Sequence, residues 1–384
     1  MSDPSPEPGA GAPAALRGRG PIPLAMLAAL ISLLASLALV ELALRIQRGS
    51  LAGRPDFAGE IHMLGSLYPG SYDARLGFAP TPGVAPDNVW GTAVTVTADG
   101  LRSNGAPAPP GDPIVAVGDS FTWGDEVDDD QTWPAALERR LGRPVLNGGV
   151  FGYGFDQVVL RAESLLERFP AADTLVVSLI PDDVLRCEYA YRYAWKPYFE
   201  IEHGDLALRN VPVPPPHRGP PGESAWRRSL RWSFLADFVM RRLDPEGWLL
   251  PDSLRIHRQG VAVARLLVDR LANAAERRGH RLLVMLQWHP LWDGDPAEPV
   301  LARARERGIE VLRVEPLLRA EMGTGRGSAR RFFGIEDAPG GELRVKHMNP
   351  AGNAQVARFL ADRLGEPIAG AGTAGSLRRL PTSQ

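Results

Sequence analysis

The sequence has a single cysteine, two lysines and no recurring unit. One cysteine, Cys187, excludes an intrachain disulfide and a cysteine-built metal cluster. A thiolate nucleophile needs an activating environment, and none is visible around it, so a buried, inert thiol is expected. Lys196 and Lys346 are the exceptions in a chain whose positive charge is otherwise all arginine. Lys plus Arg (43) nearly balance Asp plus Glu (45), for a net charge of −2, so bulk charge points neither to nucleic acid nor to an anionic membrane surface as partner. His62, His203, His217, His257 and His280 have no metal-ligand spacing, and neither a metal nor a cofactor is expected.

What is present is ordinary globular material: 44% hydrophobic and 23% charged residues over 384 positions, enough for one large domain or two ordinary ones. From Pro21 to Val40 no residue is charged and most are Leu, Ala or Ile. At about 1.5 Å per residue this run covers a hydrocarbon core of roughly 30 Å. Ser36-Leu37-Ala38 loosely fits a signal cleavage site, but the run outlasts a signal core of about 7–15 residues, so a retained anchor over 21–46 is expected. Arg17 and Arg19 precede the span and Arg45, Arg48 and Arg54 follow it, so flanking charge assigns no orientation. Residues 1–20 read as a disordered leader and 366–384, rich in Gly, Ala, Ser and Thr, as a disordered tail.

Residues 50–110 are rich in Gly and Pro and hold one alternating stretch, Ala93–Thr97, before Asp99-Gly100; a β-rich lead-in is expected. From 111 to 365 short apolar runs alternate with amphipathic segments. Ile114–Val117, Val145–Leu146, Leu175–Ile180, Leu282–Leu286 and Val311–Val314 read as buried strands. Gln131–Leu141, Asp156–Phe169, Gly260–Arg278 and Ala351–Leu364 have helical spacing. Strand-then-helix repetition predicts a three-layer α/β/α sandwich with a mainly parallel five-stranded sheet. The interval 187–257 interrupts the rhythm with a Pro-rich run, Pro212 to Pro221, then Trp226-Arg227-Arg228-Ser229-Leu230-Arg231-Trp232. That block suits an anionic polymer, a lid, or a plain amphipathic helix docked by its apolar side chains; the last is favoured.

The chemistry centres on Gly118-Asp119-Ser120-Phe121-Thr122-Trp123-Gly124, directly after the first body strand. A serine there lies at the strand's carboxyl end, where open α/β sheets bind ligands, and a following helix would aim free N–H groups at the same place. An ordinary strand-to-helix loop with a capping serine is the plain alternative. Asn147-Gly148-Gly149-Val150-Phe151-Gly152 follows the second strand as a loop of close backbone approach. His347, ahead of Asn349-Pro350 and the last helix, has the side chain best suited to take a proton from a serine near neutral pH.

In order and spacing these blocks resemble the SGNH (GDSL-like) hydrolase superfamily, from Ile114 to Leu364, and particularly its bacterial membrane-anchored members. The resemblance implies a flavodoxin-like sheet, Ser120 as nucleophile, an oxyanion hole built from the N–H groups of Ser120 and Gly152, and His347 as general base. Two positions depart from it. Asp182 stands where the family places an asparagine donor to the oxyanion hole; it would have to be protonated to serve, and a capping or salt-bridging role is the alternative. Arg344 stands where the family places the acid three residues before the histidine, leaving Glu342, Asp337 or a backbone carbonyl to orient the ring.

The expectation is therefore a single-pass membrane protein whose main domain, by resemblance, is extracytoplasmic and hydrolyses acyl esters, O-acetyl groups of glycans among them. Polysaccharide O-acyl transfer and a degenerate glycan-binding or assembly role are the alternatives. Gln287-Trp288-His289-Pro290 reads as a structural loop or a binding rim, and Asp125, Glu126, Asp128, Asp129 and Asp130 as a solvated acidic run with no fixed metal-ligand spacing.

Overall fold

In a computed structural model the described residues are 24–47, 51, 68–86, 89–192, 194–215, 225–230, 232–243, 253–290, 296–324, 328–337 and 343–365. The expected leader and tail lie outside them. The chain forms two compact units, Met1–Asp56 with Ser224–Trp248, and Phe57–Glu223 with Leu249–Gln384.

The first unit is built on one helix, Leu24–Gln47, none of whose residues is buried. Among the described residues it is the one helix long and apolar enough to cross a membrane, a test that an N-terminal signal sequence also passes. Among its described residues are two short helices, Ala225–Leu230 and Phe234–Leu243.

The second unit is built on five parallel strands: β1 (Ile114–Val117), β2 (Val145–Asn147), β3 (Thr174–Leu179), β4 (Arg281–Leu286) and β5 (Glu310–Arg313). Their spatial order is β5-β4-β3-β1-β2, every neighbouring pair parallel, which is the flavodoxin-like order. Side chains alternate across this sheet as strand geometry requires. Val115 and Val117 pack into one apolar cluster with Val158, Leu165, Leu267 and Leu271 of the helices Phe155–Arg168 and Gly260–Arg278. Ile114 and Ala116 pack into the other, with Leu137, Val356 and Leu360 of the helices Trp133–Leu141 and Pro350–Gly365. Burial on both faces explains why β1 reads as an unbroken apolar run and β3 as one broken only by Ser178 after Thr174. The three-layer α/β/α sandwich expected from the sequence is the fold of this unit.

The strands stand within a residue of their expected positions, but Ala93–Thr97 is not a regular strand. It makes isolated bridges only, because the backbone N–H groups of Ala93 and Thr95 are taken by the carboxylates of Asp128 and Asp129 instead of a partner strand. The interval 187–257 contributes antiparallel pairs, Tyr189–Arg192 with Ala194–Trp195 and with Ser253–Arg255, and Tyr198–Glu202 with Asp205–Arg209. Lys196 in this interval is buried and holds buried Asp156 at 2.5 Å, tying the interval to the helix Phe155–Arg168. Ahead of the last helix an antiparallel ribbon, Phe333–Asp337 with Leu343–Met348, carries His347 toward the sheet's carboxyl edge.

Candidate active site

β1 is flanked by β2 on one side and β3 on the other, so the chain leaves it in one direction and returns on the other: a topological switch point, the place where open sheets bind ligands. Ser120 is the first residue after the Val117-Gly118-Asp119 exit. A single helical turn, Ser120–Trp123, begins there; the Asp119 carboxylate accepts the Phe121 N–H at 3.0 Å and Gly124, at φ +88°, ends the turn. As first helical residue Ser120 keeps its N–H outside the helical ladder, available to a ligand.

Arg102 holds the next segment in place. Its buried guanidinium donates to the carbonyls of Trp123 (3.0 Å), Gly124 and Val127 (2.6 Å) and to Asp129 (3.2 Å). Within that clamped segment Glu126 sits at φ +66°, a conformation that costs a non-glycine residue on the order of 1–3 kcal/mol and that clusters at functional sites.

His347 meets Ser120 across 227 residues of sequence: Ser120 Oγ lies 2.9 Å from His347 Nε2. A longer contact, 3.4 Å, joins Oγ to Asp119 Oδ2. On the far side of the ring, Glu126 Oε2 accepts the His347 backbone N–H at 3.2 Å and stands 3.7 Å from Nδ1, an ion-pair distance. Serine, histidine and glutamate thus stand in the order of a catalytic triad. The acid comes from the segment that follows the Ser120 turn rather than from the histidine ribbon. Of the acids considered from sequence, Asp337 is a strand-end residue of that ribbon and Glu342 lies outside the described residues. Arg344 occupies the ribbon position opposite Glu336.

A second carboxyl, Asp125, is buried with Oδ2 3.9 Å from Nε2, and its Oδ1 has no protein partner among the described residues. Burial pushes Asp125 up to about 7, against the pull of His347 and Arg102. Burial also opposes a charge on His347, but Glu126, Asp125 and Asp119 outweigh it and leave the imidazole above its ordinary value. Glu126 moves the other way: desolvation is its largest single influence, yet His347 and Lys346 together bring it below its ordinary value. The ring is therefore one that Glu126, with Asp125 and Asp119, keeps easy to protonate.

The glycine loop folds directly over the nucleophile turn. A side chain at Gly149 would come within 2.3 Å of the Trp123 backbone nitrogen, and one at Gly148 within 2.4 Å of Leu165. The Val150 N–H donates to the Gly118 carbonyl at 3.0 Å, and Gly152, two residues on, takes φ +70°. Phe121 stacks against the His347 ring at 5.0 Å and meets His289 edge-on at 6.4 Å; His289 in turn packs edge-on against Phe333. The Gln287–Pro290 loop so forms a wall behind the pair. Burial and the neighbouring His347 charge lower the pKa of His289.

Asp182 does not share in this convergence. Its Oδ2 accepts from Arg186 Nε at 2.9 Å and from Arg192 at 2.8 Å, so its oxygens serve as acceptors in an ion-pair cluster rather than as an oxyanion donor. Asp183 caps the same short helix, Pro181–Arg186, by accepting the Ile180 N–H. Cys187 is buried, and desolvation pushes its thiol well up, in keeping with an inert role. In the acidic run Asp128 and Asp129 are occupied by backbone N–H groups and Arg102, and among the described residues no group of three acids, histidines or cysteines is placed to hold a metal.

No protein-family model and no curated protein matches the chain. Solved structures do. Its structural neighbours are G-D-S-L lipolytic proteins and carbohydrate esterases. One is a member of the lipolytic protein G-D-S-L family from Veillonella parvula, 13% identical over 66% of this chain and 99% of that one, with a TM-score of 0.34. Another is a two-domain esterase active on acetylated mannans, 14% identical over 66% of this chain and 48% of that one, TM-score 0.36. A third is a carbohydrate esterase family 2 enzyme from Corynascus thermopiles, 13% identical over 70% of each chain, TM-score 0.30.

Three residues of the site were not legible as such in the sequence; Asp125, read with the solvated acidic run, is instead buried beside the His347 ring. Glu126 lay in what reads as a solvated acidic run, and only its left-handed backbone beside the clamped turn sets it apart from Asp128–Asp130. Arg102, read as part of an arginine bias, carried no local signal at all, since its partners lie 21 to 27 residues away.

Proposed function

We propose that the chain is a membrane-anchored serine ester hydrolase of the SGNH kind. Ser120 Oγ attacks the acyl carbonyl while His347 Nε2 takes its proton; the alcohol leaves with that proton, and a water activated by the same imidazole then releases the acid from the acyl-enzyme. Glu126 orients the ring and offsets its charge while it holds the proton. The N–H groups of Ser120 and Gly152 face the developing oxyanion. The single observation that carries this reading is the 2.9 Å approach of Ser120 Oγ to His347 Nε2 at a sheet switch point, with Glu126 3.7 Å from the opposite nitrogen. The nucleophile residue is only 4% exposed and walled by Phe121, which suits a small acyl group better than a fatty chain. O-acetyl groups on glycans are the proposed substrate class, with the helix Leu24–Gln47 holding an extracytoplasmic body to the bilayer.

A second reading, a glycan-binding protein that no longer turns over, is favoured by Asp182, which stands in sequence where the resemblance expects an asparagine donor and is instead bound to two arginines. Assay of the full chain on p-nitrophenyl acetate and on acetylated mannan separates the two. Turnover that falls at least about 10³-fold in Ser120→Ala supports the esterase. Equal rates in both proteins reject it in favour of the binding reading.

A further inference from the structure

The first unit ties its long helix to the pair of short ones by a polar clasp. Glu41 of the helix Leu24–Gln47 accepts from Ser233 Oγ at 2.9 Å and from the N–H groups of Phe234 and Leu235 at 3.1 and 2.8 Å. A side chain of one helix thereby caps the amino end of another, Phe234–Leu243. Arg45, one turn on, pairs with Glu41 at 2.7 Å, donates to the Trp232 carbonyl and covers the Phe234 ring at 5.1 Å.

The clasp stands at a defined height. From Leu24 to Val40 the helix carries no charge, a length of about 26 Å at 1.5 Å per residue, close to the roughly 30 Å of a hydrocarbon core. Glu41 and Arg45 are the first charges after it. A helix that spans with this stretch puts them, and whatever they hold, at the level where lipid tails give way to headgroups.

What they hold presents apolar side chains outward. Trp232 is 59% and Leu243 74% exposed, and Leu230, Phe238 and Val239 are exposed as well. Over the same stretch, 225–243, the sequence places Arg227, Arg228, Arg231, Arg241 and Arg242 against Asp237 as the sole acid. Exposed Trp, Phe and Leu with excess arginine is the composition of a helix lying in the plane of a membrane interface, where rings sit at headgroup depth and guanidinium groups meet phosphates. We propose that the helices Ala225–Leu230 and Phe234–Leu243 form an interfacial lipid-binding element, seated in the headgroup layer at the carboxyl end of the spanning helix with anionic phospholipid as its ligand. The inference rests on the anchor reading of the helix Leu24–Gln47.

Site-specific fluorophores test it on the full chain in nanodiscs. The variants Leu33→Cys, Val239→Cys and Leu243→Cys each carry an environment-sensitive dye; buried Cys187 stays in place, with the unmodified parent as the labelling blank. Quenchers are nitroxides on the lipid tail, shallow or deep. The expected result is quenching at position 33 by the deep nitroxide and at least about 2-fold quenching at positions 239 and 243 by the shallow one. The effect at the last two sites should be stronger with phosphatidylglycerol than in phosphatidylcholine alone. Quenching at 33 without any at 239 or 243 overturns the interfacial assignment and leaves the anchor standing. An apolar emission at those two sites that no lipid quencher reaches means a protein surface covers them, and it overturns the interfacial assignment in the same way. No quenching at 33 overturns the anchor reading and this inference together. Equal quenching in the two lipids overturns the choice of an anionic headgroup.

Discussion

At the scale of single residues, the proposed chemistry turns on Glu126. It keeps a left-handed backbone, binds the His347 backbone N–H and stands near Nδ1 of the same ring. Its negative charge is one reason the imidazole stays protonated to higher pH than an ordinary histidine. Because a general base must be neutral, the rate rises as pH climbs through that raised pKa, so the acid limb of kcat/KM is centred above about 6.5. In Glu126→Gln the supporting charge is gone. The acid limb then moves to lower pH while the plateau falls by about 10²- to 10³-fold, less than the roughly 10⁴-fold loss when a closely bonded triad acid is changed. A pH–rate profile reads both effects; an unmoved limb would remove Glu126 from the site. Asp125, pushed up to about 7 by burial and 3.9 Å from Nε2, stands as a second titrating group beside the imidazole.

At the scale of elements, the glycine loop after β2 is a close fit against the turn that carries Ser120. A methyl group at Gly149 meets backbone, the Trp123 nitrogen at 2.3 Å, and backbone cannot rotate out of the way. Gly149→Ala is therefore expected to cost about 1–3 kcal/mol, as overpacking does, and to displace the nucleophile turn. A drop in urea midpoint with a lowered kcat checks this. Gly142, where nothing lies within 4 Å, marks the contrasting case of a glycine kept for its positive φ alone. The same elements mark what a sequence can convey. Five strands were legible because both faces of the sheet carry apolar clusters, so each strand holds a short, largely apolar stretch, purest in β1 and weakest in the edge strand β5. Ser120, the glycine loop and His347 were legible because each sits on a strand or helix end whose position those runs fix. The ribbon Phe333–Met348 was not, being a half-buried pair whose register shifts near Phe333 and which shows no clean alternation. Neither was the loss of strand structure at Ala93–Thr97, decided by carboxylates more than thirty residues away. Glu126 escaped because its role depends on a ring that arrives from the other end of the chain.

At the scale of the whole molecule, the interval 187–257 is not an appended loop. Lys196 is buried against Asp156 of the helix beneath the glycine loop and also donates to the carbonyls of Arg186 and Tyr189. Burial raises the Asp156 pKa despite the lysine, so the carboxylate depends on its partner to remain charged. Lys196→Met alone leaves that carboxylate unpaired and is expected to cost about 3–5 kcal/mol, whereas Lys196→Met with Asp156→Leu recovers most of it. Thermal melts of the three proteins distinguish this from a surface pair, for which both single and double changes would be nearly silent. The chemistry as a whole depends on one meeting, that of a hydroxyl after β1 with an imidazole 227 residues later. The rate at which a fluorophosphonate labels the folded, full-length chain, followed from pH 5 to 9, addresses that meeting directly. The expected result is a single modified residue, Ser120, labelled with a sigmoidal rise centred above about 6.5, abolished in Ser120→Ala and slowed at least about 100-fold in His347→Ala. No labelling of the native protein at any pH, or labelling indifferent to His347, would contradict a serine activated by that histidine.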